Sequence, residues 1–161
     1  MQIITPQTLA DLTRAAAESP RRRRNLNMHP DLSDPIQRML NAGYPGSYVR
    51  PHRHGPDRWE NFTLIQGAIA VLLFDDKGIV ASRTELHRGG IPLVELPGLI
   101  WHSIVFLQPA SVVYELKPGP YVPAEDKDFA AWAPSEGQAG AAELENWMTT
   151  AQPGQRWFGQ L

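Results

Sequence analysis

The stretch Gly46-Ser47-Tyr48-Val49-Arg50-Pro51-His52-Arg53-His54-Gly55-Pro56-Asp57-Arg58-Trp59-Glu60, running on through Asn61-Phe62-Thr63-Leu64-Ile65-Gln66 to Gly67, decides the reading of this chain. His52 and His54 stand two residues apart. On an extended segment they point to the same side, because side chains alternate along a strand. A Gly-Pro-Asp turn follows, and then Glu60 opens an alternating run with Phe62 and Leu64. Two imidazoles from one strand and a carboxylate from the next can close a metal site. That donor set suits Zn, Fe, Mn, Ni or Cu.

Composition narrows the alternatives. The 161 residues include no cysteine, so a metal has only histidine and carboxylate to hold it, and disulfides and thiol nucleophiles are excluded. Lys+Arg 15 against Asp+Glu 17 leaves a formal charge of -2, which gives no global field for nucleic acid. With no membrane-length apolar run and no basic-then-apolar leader, the expectation is a cytoplasmic protein with neither nucleic-acid nor membrane partners. Fifteen prolines and 13 glycines favour many short strands joined by turns over a helical bundle.

Outward from the histidine stretch, the pattern is one of strands. Ala68 to Phe74 is almost wholly apolar, and Asp75-Asp76-Lys77-Gly78 is a hairpin turn. Ile79 to Leu86, Ile91 to Leu96, Ile100 to Leu107 and Ser111 to Leu116 are separated by Gly- or Pro-containing turns. Strands at this spacing read as a sandwich or barrel. The predicted organisation is one domain: a helix-and-strand extension over 1–43, a β-barrel core over 44–118 and a C-terminal extension over 119–161. In the first extension, Thr5-Pro6 opens a helix over 6–18, and Ser33 or Asp34 ahead of Pro35 opens a second through about Leu40, with Gly43 past its end. Residues 139–149 read as a C-terminal helix.

The second half of a metal site follows from the same logic. Pro97-Gly98-Leu99-Ile100-Trp101-His102 places a histidine at the start of a strand that a closed barrel can set beside His52 and His54. The expected ligands are His52, His54, Glu60 and His102. Asp57 is nearer in sequence, but it sits in the turn. Parity along an extended segment puts Tyr48 and Arg50 on the histidine side, as substrate-binding candidates with an anionic preference. The alternation Asn25, Asn27, His29 adds Asn27 and His29 to the pocket wall. Tyr114, sharing parity with Val112 and Leu116, is the candidate proton donor. Arg21 to Arg24 read as a solvated run, with an anion-binding rim as one alternative.

These residues resemble the two short motifs of the cupin superfamily, a Gly…His-x-His…Glu…Gly segment and a later Pro…His segment. The wording of Arg24-Asn25-Leu26-Asn27, Pro45 to His54, Leu72 to Asp76 and Asp126 to Pro134 is similar to the WbuC-type cupin-fold metalloproteins, over roughly residues 20–137. The spacing from His54 to Glu60 is longer than is common among cupins. The resemblance implies an all-β, cupin-type double-stranded β-helix (a jelly-roll barrel) with short terminal helices. It implies one divalent transition metal (Fe, Zn, Mn or Ni) and a small-molecule ligand, sugar- or nucleotide-sugar-like, linked to surface-polysaccharide biosynthesis. A homodimer is expected. The function expected is a metal-dependent isomerase, epimerase, lyase or dioxygenase, or alternatively a non-catalytic ligand-binding or sensing cupin.

Overall fold

Strand β5 (Ala68–Phe74) shows how the layers are arranged, because both of its faces are covered. Ile69 and Val71 face a core shared with Phe62, Leu86, Leu96, Ile104, Phe106 and Val113. Ala70, Leu72 and Phe74 face the other way, against Leu144 and Met148 near the C-terminus. A strand buried on both sides carries no polar alternation, which is why this run is continuously apolar.

The computed structural model describes residues 1–122 and 126–159. In chain order the elements are α1 (Pro6–Glu18), β1 (Arg23–Asn27), β2 (Ile36–Gly43), β3 (His52–Arg53), β4 (Glu60–Gln66), β5, β6 (Val80–His87), β7 (Leu93–Leu96), β8 (Trp101–Phe106), β9 (Ser111–Pro118), β10 (Asp128–Phe129) and α2 (Ala141–Met148). They form two antiparallel five-stranded sheets, ordered β1-β2-β9-β4-β7 and β10-β3-β8-β5-β6. Helix α1 packs Leu12 and Ala16 on the outer face of the first sheet, against Leu40, Ala42 and Val112. Helix α2 covers the outer face of the second. Trp157 packs against that layer, while Phe158 is exposed beneath the Arg156 guanidinium. Among the described residues no helix is long and apolar enough to cross a membrane.

Helix α1 forms where expected. Thr5 is its N-cap and makes a capping box with Thr8, Pro6 occupies the first turn, and Ser19 ends it. The second predicted helix does not form. Residues 36–43 are β2, which pairs with β9 along its whole length, from Ile36↔Pro118 to Gly43↔Ser111. The Asp34 carboxylate accepts from the Ile36 N–H, a local turn that starts a strand here. Leu40 and Ala42 then face α1 while Gln37, Met39 and Asn41 face inward, a period of two. Long-range pairing outweighs the proline signal. Gly43 is required by close approach: a Cβ there would run into the Phe106 ring. The segment read as an extension before residue 44 thus supplies two strands of the first sheet, because β2 lies between β1 and β9.

Candidate metal centre and its cavity

His52 and His102 are cross-strand partners on β3 and β8, and their rings lie 4.5 Å apart. His54 follows β3 on the same side, 5.1 Å from the His52 ring. Glu60 opens β4 in the opposite sheet. The four side chains are buried, and one ligand atom from each lies within 4.8 Å of all the others. Glu60 Oε2 is 2.9 Å from His102 Nε2 and 3.5 Å from His54 Nε2. Asp57 is exposed in the turn.

The ring orientations are set from outside the cluster. His52 Nδ1 donates to the Arg50 carbonyl at 2.9 Å, His102 Nδ1 to the Ile100 carbonyl at 2.9 Å, and His54 Nδ1 to the Asp126 carbonyl. Carbonyl oxygens only accept, so each imidazole keeps its proton on Nδ1 and turns an Nε2 lone pair inward. Among the described residues, the Nε2 atoms of His52 and His54 have no hydrogen-bond partner. Three nitrogen lone pairs and a carboxylate facing one point repel each other unless a cation lies between them, so the donor set fits a divalent transition metal. Burial, then the charge of Lys127, pushes His52 well below the usual histidine range, which keeps it in the ligand form. Burial opposes ionisation of Glu60, but the neighbouring His102 and His54 imidazoles prevail and hold the carboxyl well below its ordinary value.

The turn before β8 presses on the one before β4. The Leu99 N–H donates to the His54 carbonyl at 3.0 Å. A Cβ on Gly98 would collide with the main-chain carbonyls of Gly55 and Pro56. Gly98→Ala is therefore expected to cost about 1–3 kcal/mol. Chemical denaturation checks this, and a cost within 0.5 kcal/mol of zero would show that the two turns are free to separate.

The ligand set opens on a hollow of about 260 Å³. Its wall carries Val49, Phe62 and Phe106 together with Asn25, Asn41 and Glu115, and Lys127 reaches in from the C-terminal segment. Arg21, Arg23 and Arg24 stand on its rim. Arg21 and Arg23 both pair with Glu136. A second hollow, of about 370 Å³, adjoins the first.

Several predicted pocket residues lie elsewhere. Tyr48 is buried in the layer under α2, and its hydroxyl donates to the Pro134 carbonyl. Arg50 donates to the carbonyls of Ala130 and Ala133 and to Ser135 Oγ. Both fasten the segment 130–135 instead of lining the cavity. The period-two argument fails here because the chain before His52 is not a strand. Tyr114 packs toward α1, with Leu12 and Val112. The inward residues of β9 are Val113, Glu115 and Lys117, so Tyr114 is turned away from the cavity. Asn27 and His29 line the second hollow and not the one holding the ligand set.

Glu115, Lys127 and Asn41 are the residues sequence reasoning missed. Asn41 Nδ2 donates to Glu115 Oε2 at 2.5 Å. Burial, and then the charge of Glu60, push the Glu115 carboxyl up to about 8, against the pull of Lys117. A folded-state value above the unfolded 4.5 means that the folded carboxyl keeps a proton the unfolded chain has released. Its contribution to stability is full below pH 4.5 and is lost as pH rises through about 8. Metal-free protein should therefore lose more stability between about pH 5 and about pH 9 than the Glu115→Gln variant does. Parallel urea-unfolding profiles for the two proteins would contradict this.

Residues 4–86, more than half of the chain, match the family described as Domain of unknown function (DUF6016). The chain belongs to that family. No curated protein matches this DUF6016 member. Solved structures do. KdgF from Halomonas sp. is 20% identical, with a TM-score of 0.50 over 66% of this chain and 87% of that one. CapF, the capsular polysaccharide assembling protein from Staphylococcus aureus, is 18% identical, with a TM-score of 0.54 over 65% of this chain and 29% of its own. A variant of Bacillus subtilis oxalate decarboxylase, an enzyme described with Mn(II) centres, is 19% identical, with a TM-score of 0.50 over 66% of this chain and 27% of its own. The DUF6016 chain thus spans less than a third of the last two. At these identities the likeness is one of fold, and that fold is the cupin-type jelly roll.

Proposed function

We propose that this protein is a metal-dependent cupin enzyme acting on a small, polar, anionic molecule. The observation that carries the reading is the convergence of three imidazole Nε2 atoms and the Glu60 carboxylate beside a cavity that His52, Glu60 and His102 line. His52, His54, Glu60 and His102 would hold the metal. A bound divalent metal supplies Lewis acidity to an oxygen of the bound molecule, or redox chemistry if it is iron. The protein's own contribution lies in the wall. Glu115 holds a proton at neutral pH, with Asn41 fixing its carboxyl. Lys127 and Arg24 supply positive charge where an anion would enter. Phe62 and Phe106 give the cavity an apolar part of its wall. The WbuC-type resemblance and the capsular-polysaccharide context of CapF add a sugar or nucleotide sugar as the substrate class. Iron, zinc, manganese and nickel are the metals to supply, with oxalate decarboxylase as a precedent for manganese.

The test is elemental analysis of the purified protein beside its His52→Ala variant. One equivalent of transition metal is expected in the first and a small fraction of that in the second. Absence of metal from both, after refolding with each of the four ions, would remove the reading.

A further inference from the structure

The second hollow is joined to the first, since Asn25, Asn41, Glu115 and Lys127 line both. Two of its polar groups are buried without partners among the described residues. His29 is 7% exposed. The Arg38 N–H donates to its Nδ1 at 3.0 Å, and the Arg38 carbonyl is already satisfied by the Met28 N–H. The assignment that satisfies every main-chain group makes Nδ1 the acceptor and places the ring proton on Nε2, which meets nothing among the described residues. Asp126 is 2% exposed. Its Oδ2 accepts from Lys117 Nζ at 2.9 Å, while Oδ1 is without a partner among the described residues. A buried donor and a buried acceptor left unmet each forfeit the hydration they had in the unfolded chain. Both lie on the wall of one cavity that adjoins a metal-ligand set.

We propose that the second hollow is a subsite for the hydroxyl groups of a polyhydroxylated carboxylate whose acidic end reaches the His52–His54–Glu60–His102 centre. This rests on the metal-dependent reading above and narrows its substrate class. A hydroxyl both donates and accepts, so a chain of them can serve His29 Nε2–H and Asp126 Oδ1 together. Asn27 offers further hydrogen bonds at the edge of the same hollow. The unmet Asp126 Oδ1 in this lobe needs a donor, which a hydroxyl is and an ionised carboxylate is not, so the carboxylate is left to the lobe rimmed by Arg24.

Calorimetric titration of the metal-loaded, full-length protein with gluconate and with hexanoate tests it, since the two acids share a carbon chain and differ in hydroxyls. Gluconate is expected to bind at least about tenfold more tightly, and His29→Leu to lose about tenfold in gluconate affinity with metal content unchanged. Where His29→Leu fails to fold, Asn27→Ala, at an exposed position, is expected to weaken gluconate alone. Equal binding of the two acids, binding of neither, or gluconate affinity unmoved by these variants would overturn the subsite. A wild-type protein that takes up no metal would overturn the metal-dependent reading instead, so the two failures are told apart.

Discussion

Lys117→Met is expected to destabilise the protein by about 3–5 kcal/mol. Lys117 is 4% exposed, and its Nζ lies 2.9 Å from Asp126 Oδ2 and 4.0 Å from Glu115 Oε1. Burial works against its charge, but Glu115, Glu60 and Asp126 outweigh it and raise the ammonium above its ordinary value. Methionine fills nearly the same volume and removes only the cation. What remains is the buried Asp126 carboxylate with no counter-charge at that position, the situation in which breaking a buried pair is costly. The exposed Arg53–Asp128 pair is the internal contrast. At 34% and 59% side-chain exposure, it should be worth less than about 1 kcal/mol. Urea unfolding of metal-free Lys117→Met and Arg53→Ala decides the comparison. If Lys117→Met stayed within about 1 kcal/mol of wild type, the cluster would not be acting as a dry ion pair.

The same substitution reaches the candidate metal centre by a path that concerns one ligand only. His52 and His102 take their Nδ1 acceptors from carbonyls two residues away, so their orientation is set locally. His54 takes its acceptor from Asp126, which is 72 residues distant, and the side chain of Asp126 is held by Lys117. Loosening that residue removes the constraint on one imidazole in three. Metal affinity is expected to fall about 10–100-fold, as for other partners behind a metal ligand, and competition with a chromophoric chelator measures it. Asp126→Asn combined with Lys117→Met should recover part of the stability, because the unpaired charge is then gone.

This dependence on a distant segment explains which parts of the site were legible in sequence. His52, His54 and Glu60 lie within nine residues of one another, and His102 sits behind a Pro-Gly turn, so strand parity and turn chemistry suffice to group them. Lys127 was not legible, because it enters the cavity through the pairing of Phe129 with His52. Glu115 was hidden differently. Val112 and Val113 are both fully buried, one beneath α1 and one in the core between the sheets. A strand covered on both faces offers no apolar parity from which to tell inside from outside, and Tyr114 was the wrong choice of phase. Glu115 and Lys117 reverse the usual pattern because the interior they face is polar. Tyr48 and Arg50 fail for a third reason. Alternation does not extend back past the start of β3, across Pro51, where the chain has left the sheet.

Glu60→Gln and Asp57→Asn separate the two carboxylates that sequence alone leaves in competition. Glu60 is 2% exposed and its Oε2 faces two Nε2 lone pairs, whereas Asp57 is exposed in the turn. Glutamine keeps the volume and one carbonyl oxygen but removes the negative charge that neutralises the cation. With wild-type protein and free metal at about a hundredfold its Kd, linkage predicts a stabilisation of about 2.7 kcal/mol, or roughly 5–11 °C in Tm for a chain of this size. Asp57→Asn should show that whole shift. Glu60→Gln should show almost none at the same metal concentration, because a ligand loss of about a hundredfold in affinity leaves at most half of the sites filled and about 0.4 kcal/mol of the stabilisation. Each variant is compared with its own metal-free form, so any effect of the substitution on the apoprotein cancels. A full shift in Glu60→Gln, with loss of the shift in Asp57→Asn, would move the fourth ligand into the turn. That would require the Gly55–Trp59 loop to fold inward over His54 on loading, which the Leu99–His54 hydrogen bond and the closeness of Gly98 to Gly55 both oppose.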